Sequence, residues 1–314
     1  MISHRQLANA LALFRHRNFT RAAAESHLSQ SAFSRSIRGL EKELGVSLFD
    51  RSANNVNPTV YGKALLRRAE TIIADTEELE REIHHIQGLE VGTFSVASGI
   101  YPAEIAGNQA IGRLVQDHPG IQYQITLGNW HHVNQQVLSR NVDIGLAATI
   151  GADDDDRLAT EMVGEYEMFL YCRKDHPLAG CTGLSRNDLD QFPLVSIRIP
   201  RGLADVVPGK SDIDQDTGFL IPSVEIDDLT TARTIIANSD GIGAAMPIQI
   251  ATQLESGEYK LLGFRRPWLK PSYGFISLRN RSISPAAEIF MKHVLEIDKY
   301  TQKKNQMLIE KYCV

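Results

Sequence analysis

The sequence predicts an α/β protein in three parts: a small, mostly helical head, one long helix, and a two-lobed α/β body. Three observations carry that expectation. Residues 18–44 read as two short helices joined by a tight turn, residues 59–88 as one long amphipathic helix, and residues 93–300 as two sets of alternating strands and helices. Charge divides along the same line. The first 70 residues hold 11 Lys and Arg against 5 acids, whereas the whole chain carries −5. A basic head on an acidic body suits a phosphate-binding module attached to something else, because Lys and Arg displace condensed counterions from a polyanion.

In the head, Leu7, Leu11 and Phe14 share one face of a first helix, and Asn18 and Thr20 supply a break and a cap for the next. Ala22, Ala23 and Ala24 allow close helix approach, and Leu28 fits beneath the turn. The following helix opens on Ser and Gln. Its Phe33, Ile37, Leu40 and Leu44 recur at spacings of 4, 3 and 4, which places them on one buried stripe. That leaves Ser31, Ser34, Arg35 and Arg38 pointing outward, where a recognition helix meets base edges and phosphates. Residues 50–58 are polar and end in Pro58, as a hairpin wing would.

Leu65, Ala69, Ile72, Thr76, Leu79, Ile83 and Ile86 alternate at 4 and 3 along the long helix, with charged residues around them. A heptad seam of that regularity favours self-association, here through Leu65, Ile72, Leu79 and Ile83. An amphipathic helix packed on its own domain is the competing reading.

The phrases Phe19-Thr-Arg-Ala-Ala, Leu28-Ser-Gln-Ser-Ala, Leu40-Glu41 and Leu48-Phe49-x-Arg51, followed by Thr59 and Gly62, are dense and ungapped. With His176-Pro-Leu-Ala179 and Ser284-Pro-Ala-Ala-x-x-Phe290 further on, the chain resembles LysR-type transcriptional regulators over its whole length. The resemblance implies a winged helix-turn-helix over 1–58, a dimerising linker helix over 59–88 and a periplasmic-binding-protein-like effector domain over 89–314. Lobe I would comprise 89–161 and 268–300, and lobe II 162–267, with crossing segments near 161–165 and 265–270. It implies DNA contacts from Thr20, Arg21, Gln30, Ser31, Ser34, Arg35, Arg38, Arg51, Asn54 and Thr59. Arg51 is the only cation of the wing loop, and Asn54 and Asn55 stand where the family commonly carries basic residues. The implied partners are double-stranded DNA, a small-molecule effector, further copies of the chain as dimer and tetramer, and RNA polymerase.

In open α/β sheets, ligands bind beyond the carboxyl ends of strands. Ser98, Gly128 and Asn129 follow strands of one lobe, and Ser196 and Arg198 follow a strand of the other, with Tyr101 and Trp130 near the rim. Arg198, with Arg201 close behind, suits a carboxylate. The expected effector is therefore a small organic anion or polar metabolite.

No phosphate loop, metalloprotease motif, CxxC or nucleophile elbow occurs, so neither an enzyme nor a cofactor or metal site is expected. The adjacent pairs His84-His85 and His131-His132 diverge on a helix, and Asp153–Asp156 reads as a solvated loop. Cys172, Cys181 and Cys313 form no disulfide framework, and Cys172 lies in a strand-like run as a buried structural thiol. The start of the chain does not read as a secretory signal, and no apolar run is long enough to span a membrane. A cytoplasmic location is expected. A solute-binding protein shares the two-lobed fold, but a basic helix-turn-helix argues against it.

Overall fold

The head begins with α1 (His4–His16), α2 (Phe19–Glu25) and α3 (Gln30–Leu44). Each starts on a residue whose side chain accepts backbone N–H groups: Ser3 for α1, Asn18 for α2 and Ser29 for α3. Asn18 alone caps α2, receiving the N–H groups of Thr20 and Arg21. Phe33, Ile37 and Leu40 are fully buried with Leu13, Ala22 and Ala23, and Leu28 packs against them from the turn. Two residues depart from the expected pattern. Leu44, in the last turn of α3, is 37% exposed, and Ala24 is exposed on the outer side of α2. Of the three alanines, only Ala22 and Ala23 are buried between the helices.

The wing is the antiparallel pair β1 (Phe49–Ser52) and β2 (Asn55–Pro58). Glu41 ties it to α3, because its Oε1 accepts the N–H of Leu48 at 2.9 Å and of Phe49 at 3.3 Å. Then α4 (Val60–Ile86) runs for 27 residues. Leu65 packs half-buried against the head core, and Leu66 and Ala69 are buried. Further along, Ile72 and Leu79 are 48% and 56% exposed. The start of the seam therefore packs within its own domain.

The structure, a computed structural model, describes residues 2–52, 55–86, 92–200, 212–215, 218–267 and 269–313. Asn54, Gly88, Arg201 and the side chains of Arg51 and Ile83 lie outside the described residues, as does the expected boundary at 88/89. Two compact units part at Gly92/Thr93.

The second unit contains both lobes. Lobe I is a five-stranded sheet in the order β4-β3-β5-β14-β6, formed by β3 (Gly92–Gly99), β4 (Ile121–Gly128), β5 (Ile144–Ala147), β6 (Leu158–Glu165) and β14 (Ser272–Leu278). The pair β3/β5 is parallel, and β14 runs antiparallel to both its neighbours. Lobe II has the order β11-β8-β12-β7-β13, from β7 (Phe169–Arg173), β8 (Leu194–Ser196), β11 (Val224–Glu225), β12 (Ile242–Ala245) and β13 (Tyr259–Leu261). A separate hairpin joins β9 (Asp212–Ile213) to β10 (Leu220–Ile221).

Helices cover the sheets. In lobe I, α5 (Ile100–Pro102) leads through a π-helical turn (Ala103–Gly107) into α6 (Asn108–Asp117), and α7 (Trp130–Leu138) follows β4. In lobe II, α8 (Arg186–Leu189), α9 (Leu229–Ala237) and α10 (Ala251–Ser256) are shorter. The last helix, α11 (Pro285–Tyr312), is 28 residues long and passes well beyond residue 300, the expected end of lobe I. Residues 161–165, expected as a crossing segment, instead complete the edge strand β6. The crossings come next, where Tyr166 N–H and Met168 N–H donate to the carbonyls of Pro271 and Leu269. Cys172 is buried, and desolvation pushes its thiol up to about 12.

Candidate DNA interface and interlobe cleft

On α3 the stripe that buries Phe33, Ile37 and Leu40 turns the opposite face outward. Gln30, Ser31, Arg35 and Arg38 are all exposed on it, as are Thr20 and Arg21 on α2. Among the described residues neither Arg35 nor Arg38 is held in an ion pair, so both guanidinium groups face solvent with their donors available. Arg15 behaves differently, donating to Glu25 at 2.6 Å and bracing α1 against α2 with His16.

Two expected DNA contacts are placed otherwise. Ser34 is only 9% exposed, because it sits beside Phe33 and one helical turn before Ile37, on the flank of the buried stripe. Thr59 caps α4. Its hydroxyl donates to the Ser47 carbonyl at 2.8 Å and accepts the Gly62 N–H at 3.0 Å. Both residues fix the frame that presents their neighbours. Gly62 completes it, since a Cβ there would lie 2.1 Å from the Leu48 carbonyl oxygen.

In the second unit the expected effector residues lie at or next to the ends of strands. Ser98 is the penultimate residue of β3 and is buried, with its hydroxyl donating to the carbonyls of Gly99 (3.1 Å) and Leu146 (3.2 Å). Gly128 closes β4, and Asn129 uses Oδ1 to accept the His132 N–H at 2.8 Å. Asn129 is thus a helix cap. Ser196 closes β8 and is buried. Tyr101 reaches from lobe I to the Ala244 carbonyl of lobe II at 3.4 Å, and burial pushes its phenol up to about 12.

Arg198 departs most from expectation. Its Nε donates to Glu225 at 2.7 Å and its Nη1 to Asp214, so two carboxylates already neutralise the charge assigned to an anionic ligand. Nothing near Arg198 in the chain announces this, because the partners come from β11 and the β9–β10 hairpin.

Other residues that join the lobes carry no motif. Glu104 pairs with Arg233, and Asp298 accepts the hydroxyls of Tyr166 and Tyr273 beside the crossings. A charged residue on the buried face of α11 is the one available signal for Asp298. Among the described residues no cluster of His, Cys, Asp and Glu is arranged to hold a metal. Nor is any helix of the described residues long and apolar enough to cross a membrane.

Comparison with known proteins matches both units. The family of bacterial regulatory helix-turn-helix proteins of lysR type matches residues 4–63, and the LysR substrate binding domain matches residues 87–298. An SDS degradation transcriptional activation protein from a Pseudomonas species is 30% identical over 301 residues, covering 95% of this chain and 97% of that one. A RuBisCO operon transcriptional regulator from Acidithiobacillus ferrooxidans is 26% identical over 289 residues, covering 92% of each. The fold matches a full-length OxyR variant from Pseudomonas aeruginosa (TM-score 0.65, 17% identity, 94% of this chain and 95% of that one). It also matches full-length CbnR in complex with its target DNA (TM-score 0.63, 17% identity, 94% and 100%). The chain belongs to the LysR family of bacterial DNA-binding transcriptional regulators.

Proposed function

We propose that this regulator reads DNA through the exposed face of α3 as a dimer, and that a small organic molecule held between its lobes controls it. The carrying observation is that Gln30, Ser31, Arg35 and Arg38 form one outward surface beside a hairpin wing, with both arginines outside ion pairs among the described residues. Such a surface fits the major groove, where Arg donates to guanine and Gln to adenine. Arg51, on the wing strand β1, is assigned to phosphate. The exposed Ile72 and Leu79, seven residues apart on α4, supply the dimer seam. Pairing of dimers into tetramers, contact with RNA polymerase and a cytoplasmic location follow from the family.

The effector reading keeps the place and changes the chemistry. Ser98, Tyr101, Gly128 and Ser196 still border the ends of the strands. With Arg198 neutralised by Asp214 and Glu225, however, it no longer supports a simple anion. An amphiphilic ligand, held by its apolar chain rather than through Arg198, fits better, and the Pseudomonas relative, named for SDS degradation, makes alkyl sulfates the first compounds to screen. The experiment is a thermal-shift screen of the full-length chain, followed by band-shift assays on DNA upstream of its own gene. A compound that raises the midpoint and alters the DNA complex supports the reading. Compounds that raise the midpoint equally in a chain substituted at Tyr101 and Ser196 argue against this cleft.

A further inference from the structure

The lobes are also joined by side chains outside the crossing segments. Ile100, the first residue of α5 in lobe I, is buried in the apolar cluster of lobe II with Tyr171, Val195 and Ile236. Next to it Glu104 meets Arg233 of α9 in a two-bonded pair, Oε2 to Nη1 at 3.0 Å and Oε1 to Nη2 at 2.8 Å. The arginine is seated by lobe II itself. Its guanidinium also donates to the Gln249 carbonyl and to Thr230 Oγ1, both at 3.3 Å, and its carbonyl accepts the Tyr259 hydroxyl at 2.7 Å. Glu104 lies in the π-helical turn Ala103–Gly107, an irregular winding that re-aims side chains and recurs at functional positions.

We propose that the Glu104–Arg233 pair is an interlobe clasp, which fixes one lobe arrangement and whose opening is the step by which the regulator changes state. The proposal rests on the reading of a regulator controlled through its lobes. A forked carboxylate–guanidinium pair is directional and is either made or broken, so it behaves as a two-state element. Both groups are mostly shielded from water, 26% and 21% exposed, so the pair is screened less than a surface bridge. A ligand that binds better with the clasp open shifts the population toward the open arrangement, and one that binds better with it closed reinforces it. The tilted contact of Trp130 in lobe I with Phe219 in lobe II, ring centroids 5.6 Å apart, is a second joint that would part in the same motion.

Hydrogen exchange on the full-length chain tests this with Glu104→Gln, Arg233→Met and the two combined. Glu104→Gln preserves shape, so the fold survives, which unchanged protection in β3 and β12 verifies. Each single change is expected to speed exchange roughly tenfold in both residues 100–107 and α9, and the double change no further than either single one. Acceleration confined to the substituted lobe, or additive effects, overturns the clasp. A reporter driven by DNA upstream of the regulator's own gene is expected to move in the same direction for all three variants. Unchanged output despite faster exchange overturns the regulatory role. Failure of the wild-type chain to bind that DNA would count against the regulator reading and leave the exchange result standing.

Discussion

The Tyr273 hydroxyl donates to Asp298 Oδ1 at 2.6 Å, both residues being buried where α11 passes the lobe crossings. Tyr166 donates to the same oxygen at 2.6 Å, and Gln302 Nε2 reaches Oδ2 at 2.7 Å. Gly164 lets the carboxylate lie against bare backbone, since a Cβ there would come within 2.9 Å of Asp298 Oδ2. Asp298→Ala strands two buried phenols and is expected to cost about 3–5 kcal/mol. Calorimetry should show the midpoint of the second unit falling by about 10 °C, and Asp298→Asn losing less. Equal, small losses for both would show that the carboxylate is not a hub.

Alkaline stability follows from the same phenols. Burial, and for Tyr166 and Tyr273 the Asp298 carboxylate, raise the pKa values of Tyr166, Tyr171 and Tyr273, while Tyr101 is pushed up to about 12. An unfolded tyrosine ionises near pH 10. Above that pH the unfolded chain releases protons that the folded chain keeps, so stability drops as pH rises past 10. Below it these groups change nothing. Absorbance at the phenolate band should show these tyrosines silent until the chain unfolds. Titration of all nine near pH 10 in a folded protein would contradict it.

The wing depends on one missing side chain. A Cβ at position 62 would overlap the Leu48 carbonyl at 2.1 Å, which is backbone and cannot swing aside. Gly62→Ala should destabilise the head by about 1–3 kcal/mol and weaken DNA binding. Wild-type melting and affinity would mean that α4 can shift without disturbing the wing.

The exposed seam of α4 predicts assembly. Ile72→Asp with Leu79→Asp should break the dimer, because association would bury unpaired charges. Operator affinity should then collapse, since both half-sites must be engaged together. Sedimentation showing an intact dimer through this region would make the seam intramolecular.

Much of this was legible in the chain, and the remainder was lost for identifiable reasons. The head helices are local, with caps and a 3.6-residue stripe, so their bounds and buried residues can be read directly. Ser34 reads as outward-facing although it is buried, because a small residue at the edge of a stripe carries no hydrophobic signal. Edge strands β6 and β13 lack clean alternation, so residues 161–165 of β6 read as a crossing. Ionic partners are worse, because sequence distance hides them. Glu104 and Arg233 are 129 residues apart and Tyr166 and Asp298 132, while Arg198 reads as a ligand group in the sequence because its partners Asp214 and Glu225 lie on other elements.

The central claim is that α3 reads bases, and footprinting tests it most directly. The full-length chain is compared with Arg35→Ala on DNA upstream of its own gene and on unrelated DNA of equal length. The account predicts two protected half-sites about one helical turn apart or a multiple of it, and a loss of about 1–3 kcal/mol for Arg35→Ala on that DNA only. Equal binding of both DNAs, or an Arg35→Ala footprint identical to wild type, would contradict it.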